Sequence, residues 1–241
     1  YLLDQWRLMH IGAQPVPPSL IKRWLKYFPH HKYDTNYGLS ESIGPGCVHL
    51  GVDNIEKIGA IGKAGYLWQT RIIDEQGQDV APGAIGELAV KGPGVMKCYY
   101  KNPEATAEIL HGDWLWTGDM AREDEDGFIY LVDRKKDVII SGGENLYPRE
   151  IEEFYLGHDK VRDVQVVGVP DKRYGEEACA FIILKDGCES DENEMREYGN
   201  RFMARHKVPR YFVFVKEFPM NAAGKILKYK MRDDAVAMLG L

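Results

Sequence analysis

The chain has 241 residues, 44% of them hydrophobic, which is enough apolar material for one or two packed cores. Its net charge of −6 arises from interspersed acids and bases, so no basic face points to nucleic acid or to an anionic membrane. No apolar run approaches the ~20 residues that a membrane-spanning helix requires, and Tyr1-Leu2-Leu3-Asp4-Gln5-Trp6 carries no targeting pattern.

In chain order, Pro17-Pro18-Ser19 precedes Leu20, Ile21, Trp24, Leu25 and Phe28, an apolar stripe at helical spacing. Tyr33 to Asn36 reads as a short strand leading into a turn at Tyr37-Gly38. Residues 65–132 read as strands and turns. Leu67 to Ile73 ends at the hairpin signal Asp74-Glu75-Gln76-Gly77, Glu87 to Lys91 alternates, and Asp124-Glu125-Asp126-Gly127 turns into Phe128 to Val132. Beyond Arg134 the character changes to mixed α and β. Helices are predicted over 148–158, 193–206 and 226–238, and strands over 164–169, 178–184 and 211–215. The boundaries are 1–133 and 134–241, the second piece being roughly 110 residues, an ordinary domain size.

The most informative stretch runs from Asp133 to Glu153. It starts in the charged cluster Arg134-Lys135-Lys136-Asp137, crosses a short apolar strand and turns at Gly142-Gly143-Glu144. It then enters an acidic helix with Pro148 near its start, where a fixed φ and the following carboxylates suit a first turn. Three other stretches accompany it. Tyr37 offers a flat face to an aromatic base, and Gly38 permits close backbone approach. Asp119 ends Trp116-Thr117-Gly118-Asp119, and a carboxylate can accept at both oxygens where Asn cannot. Lys225 follows Gly224 but lacks the earlier glycine and the Ser/Thr of a P-loop, so that reading fails. Alone, each has a plainer account: a strand-turn-helix with a charged lead-in, a Tyr-Gly turn before an exposed Glu, a surface Asp-Arg pair, a solvent-facing lysine. Cys47, Cys98, Cys179 and Cys188 show no zinc spacing and read as reduced thiols of a cytoplasmic protein, Cys98 as a packing residue.

Taken together and in order, the Asp133 to Glu153 run, Gly12-Ala13-Gln14-Pro15, Thr35-Asn36-Tyr37-Gly38-Leu39-Ser40-Glu41, Gly86-Glu87-Leu88, Trp116-Thr117-Gly118-Asp119 and Asn221-Ala222-Ala223-Gly224-Lys225 resemble the AMP-forming acyl-CoA synthetases of the adenylate-forming superfamily. The resemblance implies an α/β (α+β overall) chain: residues 1–133 as the β-rich end of the large adenylate-binding domain, and 134–241 as a small mobile α+β domain. It implies ATP, Mg²⁺ and coenzyme A as co-substrates or cofactors, a small carboxylic acid as substrate, and a ligase of the kind found in fatty acid metabolism. Gly12, Ala13, Gln14, Asn36, Tyr37, Gly38 and Ser40 would hold adenine and phosphate. Asp119 and Arg134 would hold the ribose, and Glu41 the metal. Lys225 would carry the cation of adenylation, with Ser40 at the α-phosphate. Lys136 would be the hinge, and Gly142, Gly143 and Glu144 would face coenzyme A. Leu39, Ser42 and Ile43 would border the acyl pocket. The chain opens without Met, and the phosphate loop ending in Pro-Lys-Gly, with the remainder of the large domain, is expected upstream of Tyr1. Two other functions fit: an adenylation unit that loads a carrier protein, and a non-catalytic nucleotide-binding fragment. The absence of a downstream carrier domain and the acidic helix after Pro148 favour the ligase.

Overall fold

A computed structural model describes residues 3, 5–12, 16–51, 54–222 and 224–241. Packing divides the chain into two units, Tyr1–Lys135 and Lys136–Leu241.

The first unit is built on two sheets. In one, β1 (Leu8–Ile11) runs parallel to β2 (Lys32–Tyr37) across the helix α1 (Pro18–Tyr27), and β3 (Cys47–Leu50) and β4 (Lys63–Ala64) follow antiparallel. The other has β5 (Gln69–Ile73), β6 (Gly86–Lys91), the short helix α2 (Pro103–Ile109), β7 (Leu110–His111), β8 (Trp114–Glu123) and β9 (Ile129–Arg134). The ten-residue β8 is central: β6 lies along one edge, while β7 and β9 share the other. Tyr37, Cys47 and Ile61 pack with Ile72, Leu88, Val90, Leu115 and Ala121 in a single core.

The second unit has β10 (Ile139–Ser141), β11 (Glu144–Leu146), α3 (Pro148–Leu156), β12 (Val161–Asp171), β13 (Gly175–Leu184), α4 (Glu192–Phe202), β14 (Tyr211–Phe214) and α5 (Lys228–Leu239). Its sheet has the order β11-β10-β13-β12, with β14 parallel to β13. The near-continuous apolar runs of β12 and β13 are buried on both faces. Val164, Val166, Ala178, Ala180 and Ile182 join Ile151, Tyr155 and Met195, whereas Val167, Val169, Cys179, Phe181 and Ile183 join Met231 and Ala235. A strand covered on both sides loses polar alternation and reads as a solid apolar run.

Several sequence expectations are corrected. Helix α2 interrupts the region expected to hold only strands and turns. Asn102 caps it by accepting from the Ala105 N–H at 3.1 Å, with Pro103 in its first turn, a helix start signal overshadowed by flanking β patterning. The helix expected over 193–206 ends at Phe202, and a separate 3-10 turn occupies Arg205–Lys207. The strand expected from Leu67 begins at Gln69, because Leu67 lies in a turn at φ 64°. Cys98 is exposed and is not a packing residue.

One buried charge ties three elements of the second unit together. Glu152 of α3 is 9% exposed. Its Oε1 accepts from the Val166 N–H at 2.8 Å and from Nζ of Lys228, the first residue of α5, at 2.8 Å. Lys228→Met keeps side-chain length and removes the charge. The variant is expected to lose about 1.5–3 kcal/mol, as when a hydrogen bond to a charged group is removed. The reading is a lower urea midpoint with an unchanged slope; an unshifted midpoint would show that the pair contributes nothing.

Candidate functional site

In the first unit the end of β2 meets the middle of β8. Tyr37, the last residue of β2, is 8% exposed. Its hydroxyl donates to Asp119 Oδ2 at 2.6 Å. Burial, and after it the neighbouring carboxylate, pushes the Tyr37 phenol far above its ordinary value, so it stays a proton donor. Asp119, itself 5% exposed, stands opposite Arg134 in the β8–β9 register. Arg134 Nε lies 2.7 Å from Asp119 Oδ1, and the arginine side chain is half-exposed. A phenol and a guanidinium therefore fix the orientation of this carboxylate.

The turn before Asp119 has its own supports. Gly118 adopts φ 71°, a conformation natural to glycine. Its N–H donates to Glu87 Oε1 at 2.9 Å, and Lys135 Nζ meets Glu87 Oε2 at 2.8 Å. Thr117 Oγ1 donates to the Leu88 carbonyl at 2.7 Å.

Ser40–Ser42 form one 3-10 turn directly after Tyr37-Gly38-Leu39. Ser40 is exposed, whereas Ser42 is buried and its hydroxyl accepts from the Leu39 N–H at 2.9 Å. Ile43 projects outward at 80% exposure. Glu41 is half-buried; Oε1 accepts from the Tyr99 hydroxyl at 2.6 Å, and its backbone carbonyl accepts from the Met96 N–H at 2.7 Å. The hydrogen bond to Glu41 is the chief cause that pushes the Tyr99 phenol up to about 12. No group of three or more His, Cys, Asp or Glu side chains among the described residues is arranged to hold an ion. A lone carboxylate fits a cation that takes its other ligands from phosphate and water, as Mg²⁺ does. Gly12 adjoins Asn36, since a Cβ added there would lie 3.4 Å from Asn36 Oδ1. Ala13 and Gln14 lie outside the described residues.

The second unit carries the rest. Lys136, exposed, is its first residue and lies in a 3-10 turn spanning Lys135–Asp137. Gly142 and Gly143, at φ 60° and 89°, form the two-residue turn between β10 and β11, with Ser141 paired to Glu144. Two successive positive φ values are what such a hairpin turn requires. The Gly142 N–H donates to the Tyr174 carbonyl at 2.8 Å, which holds the exposed turn in place. Lys225 is exposed at the end of a loop that Asn221 closes: Asn221 Oδ1 accepts from the Lys225 N–H at 2.9 Å, and the Asn221 N–H donates to the Lys225 carbonyl at 2.9 Å. Ala223 lies outside the described residues.

Sequence reasoning missed Tyr99, the positions of Glu87 and Lys135, and the hydrogen bond from Tyr37. The Tyr37 and Asp119 side chains are 82 residues apart in sequence, and no local pattern announces their contact. Glu87 had a usable signal, a carboxylate in the strand Gly86–Lys91 whose neighbouring residues are buried.

The description "AMP-binding enzyme" matches residues 1–100, and "AMP-binding enzyme C-terminal domain" matches residues 150–225. Feruloyl-CoA synthase of an Amycolatopsis species is 39% identical over 95% of this chain and 46% of its own length. The mitochondrial medium-chain acyl-CoA ligase of Homo sapiens is 38% identical over 96% of this chain and 38% of its own. The solved structure of o-succinylbenzoate-CoA synthetase from Bacillus subtilis, in complex with its acyl-adenylate intermediate, is similar with a TM-score of 0.85 and 32% identity, covering 94% of this chain and 46% of that one. The chain thus spans less than half the length of these relatives. With both family descriptions matched in order along two separately packed units, the chain belongs to the AMP-binding enzymes of the adenylate-forming superfamily.

Proposed function

We propose that the full-length protein is an ATP-dependent acid-CoA ligase. In the first half-reaction a carboxylate oxygen attacks the α-phosphorus of ATP and pyrophosphate leaves, giving acyl-AMP. In the second, the thiol of coenzyme A attacks the acyl carbonyl and AMP leaves, giving the thioester. The observation that carries this reading is the buried Asp119 carboxylate, held by Tyr37, where the Tyr37–Glu41 motif begins, at 2.6 Å and by Arg134 at 2.7 Å. Such preorganisation suits a fixed acceptor for the ribose hydroxyls.

On this reading residues 1–133 are the carboxy-terminal part of the large adenylate-binding domain and 134–241 the small mobile domain. Gly12, Ala13, Gln14, Asn36, Tyr37 and Gly38 form the adenine side, and Ser40 offers its exposed hydroxyl to the α-phosphate. Glu41 would supply one oxygen ligand to Mg²⁺, whose chemistry is to neutralise phosphate charge. Lys225 neutralises charge that builds between the acyl carboxylate and the α-phosphate; a compact ammonium on a flexible stem suits that task. Gly142, Gly143 and Glu144 face the pantetheine arm of coenzyme A. The remainder of the large domain lies upstream of Tyr1. No helix among the described residues is long and apolar enough to cross a membrane. A cytoplasmic location is supported by four cysteines that are all free thiols.

The test is acid-dependent exchange of labelled pyrophosphate into ATP by the full-length protein, followed by thioester formation with coenzyme A. Exchange without thioester, but with transfer to a carrier protein, would replace the ligase by a carrier-loading adenylation unit. AMP binding without exchange for any acid would leave a nucleotide-binding protein.

The pivot at Lys136 has its own test. Proline there fixes φ and removes a backbone donor. Lys136→Pro is expected to retain acyl-AMP formation and to lose most transfer to coenzyme A, with circular dichroism unchanged. Wild-type rates in both half-reactions would place the pivot elsewhere.

A further inference from the structure

Glu87 lies in β6 at 5% exposure, where a carboxylate is costly unless its oxygens are bonded. Its two oxygens serve different segments. Oε1 accepts from the Gly118 N–H at 2.9 Å, and Oε2 takes Lys135 Nζ at 2.8 Å. Gly118 immediately precedes Asp119, and Lys135 immediately follows Arg134. The dipeptides 118–119 and 134–135 are therefore bridged twice, once by the Asp119–Arg134 ion pair and once through Glu87. The two bridges stand at the end of the β8–β9 ladder, whose last register pair is Asp119 with Arg134. Lys135 is also the last residue of the first unit.

A single carboxylate thus holds the turn that presents Asp119 and the residue from which the chain leaves the first unit. A shift of the Gly118–Asp119 turn would act on Glu87 through Oε1, and Glu87 would pass it to Lys135 through Oε2. We propose that Glu87 is a positioning residue that couples nucleotide occupancy at Asp119 to restraint of the chain at Lys135–Lys136. This rests on the reading of Asp119 as a ribose acceptor. Such coupling is reciprocal: whatever nucleotide does to the restraint, the restraint does to nucleotide affinity.

Trypsin cleaves after Lys135 and Lys136, which makes the restraint measurable. In the full-length protein, saturating AMP is expected to slow cleavage after Lys135 by at least about fivefold, the lower end of ordinary coupling. The reference is cleavage after Lys172, exposed in the second unit. Glu87→Gln keeps an oxygen for the Gly118 N–H and removes the charge facing Lys135. AMP should still bind by calorimetry, but the differential protection should fall below about twofold. Lys135→Gln leaves Glu87 and Gly118 untouched and, read at the bond after Lys136, should show the same loss. Lys135→Arg, which keeps both the charge and the cleavage site, should retain protection. A merely structural Glu87 would raise cleavage after Lys135 and Lys172 alike. Undiminished protection in either Gln variant, or AMP binding to the wild type with no protection, overturns the coupling. Failure of the wild type to bind AMP is a separate calorimetric outcome; it removes the ribose-site reading itself, and this proposal with it.

Discussion

Lys225→Ala in the full-length protein is expected to slow acyl-AMP formation by roughly 10²–10³, the usual cost of losing one preorganised charge at a developing anion. Thioester formation from supplied acyl-AMP should change far less. The side chain is exposed at the end of a loop closed by Asn221, and its backbone is fixed at both N–H and carbonyl. Truncation at Cβ therefore removes the ammonium and leaves the loop's hydrogen bonds in place. The two half-reactions are measured separately, by pyrophosphate exchange and by thiol consumption. Equal losses in both would show that Lys225 acts on something common to the two steps, or only on the fold.

Asp119→Asn should weaken AMP binding by roughly 10–150-fold, corresponding to the ~1.5–3 kcal/mol of a hydrogen bond to a charged acceptor. Two consequences combine. The amide removes the negative partner of Arg134, and one of its two positions becomes a donor, so it can no longer accept on both sides. Tyr37 can still donate to the amide oxygen, which turns the new NH₂ towards the Arg134 side. Calorimetry with AMP reads the affinity, and thermal unfolding shows whether the buried substitution has disturbed the core. Unchanged affinity in a folded variant would take Asp119 out of the site.

How far each feature could be read in the residues depends on the range over which it acts. The helix at α1 was visible because Ile21, Trp24, Leu25 and Phe28 fall on one helical face. The β12 and β13 runs were visible because burial on both faces leaves an unbroken apolar stretch. The Gly142-Gly143 turn was legible because a type I′ two-residue hairpin turn needs two positive φ values, which two glycines adopt readily. Helix α2 was missed although Asn102-Pro103 marks its start, since the β patterning around it dominated the window. Cys98 was misjudged because a cysteine's burial depends on what lies above it, and no neighbour in sequence reports that.

Family, motif order and the chemical character of each candidate side chain reside in residue type and local spacing, so they are legible in the residues alone. Which of those side chains meet is settled by the folded chain. Tyr37 on Asp119, Glu41 beneath Tyr99, and Glu87 between Gly118 and Lys135 are contacts across 31 to 82 residues of chain. Strand register in the β5–β9 sheet sets the Glu87 contacts, and the core shared by the two sheets of the first unit brings Tyr37 to Asp119. Because side chains alternate along a strand, a register slip of one residue would turn Asp119 away from Tyr37 and Arg134 and break its contacts with both. Register is settled by burying the whole apolar face at once, so no short stretch of sequence can express it.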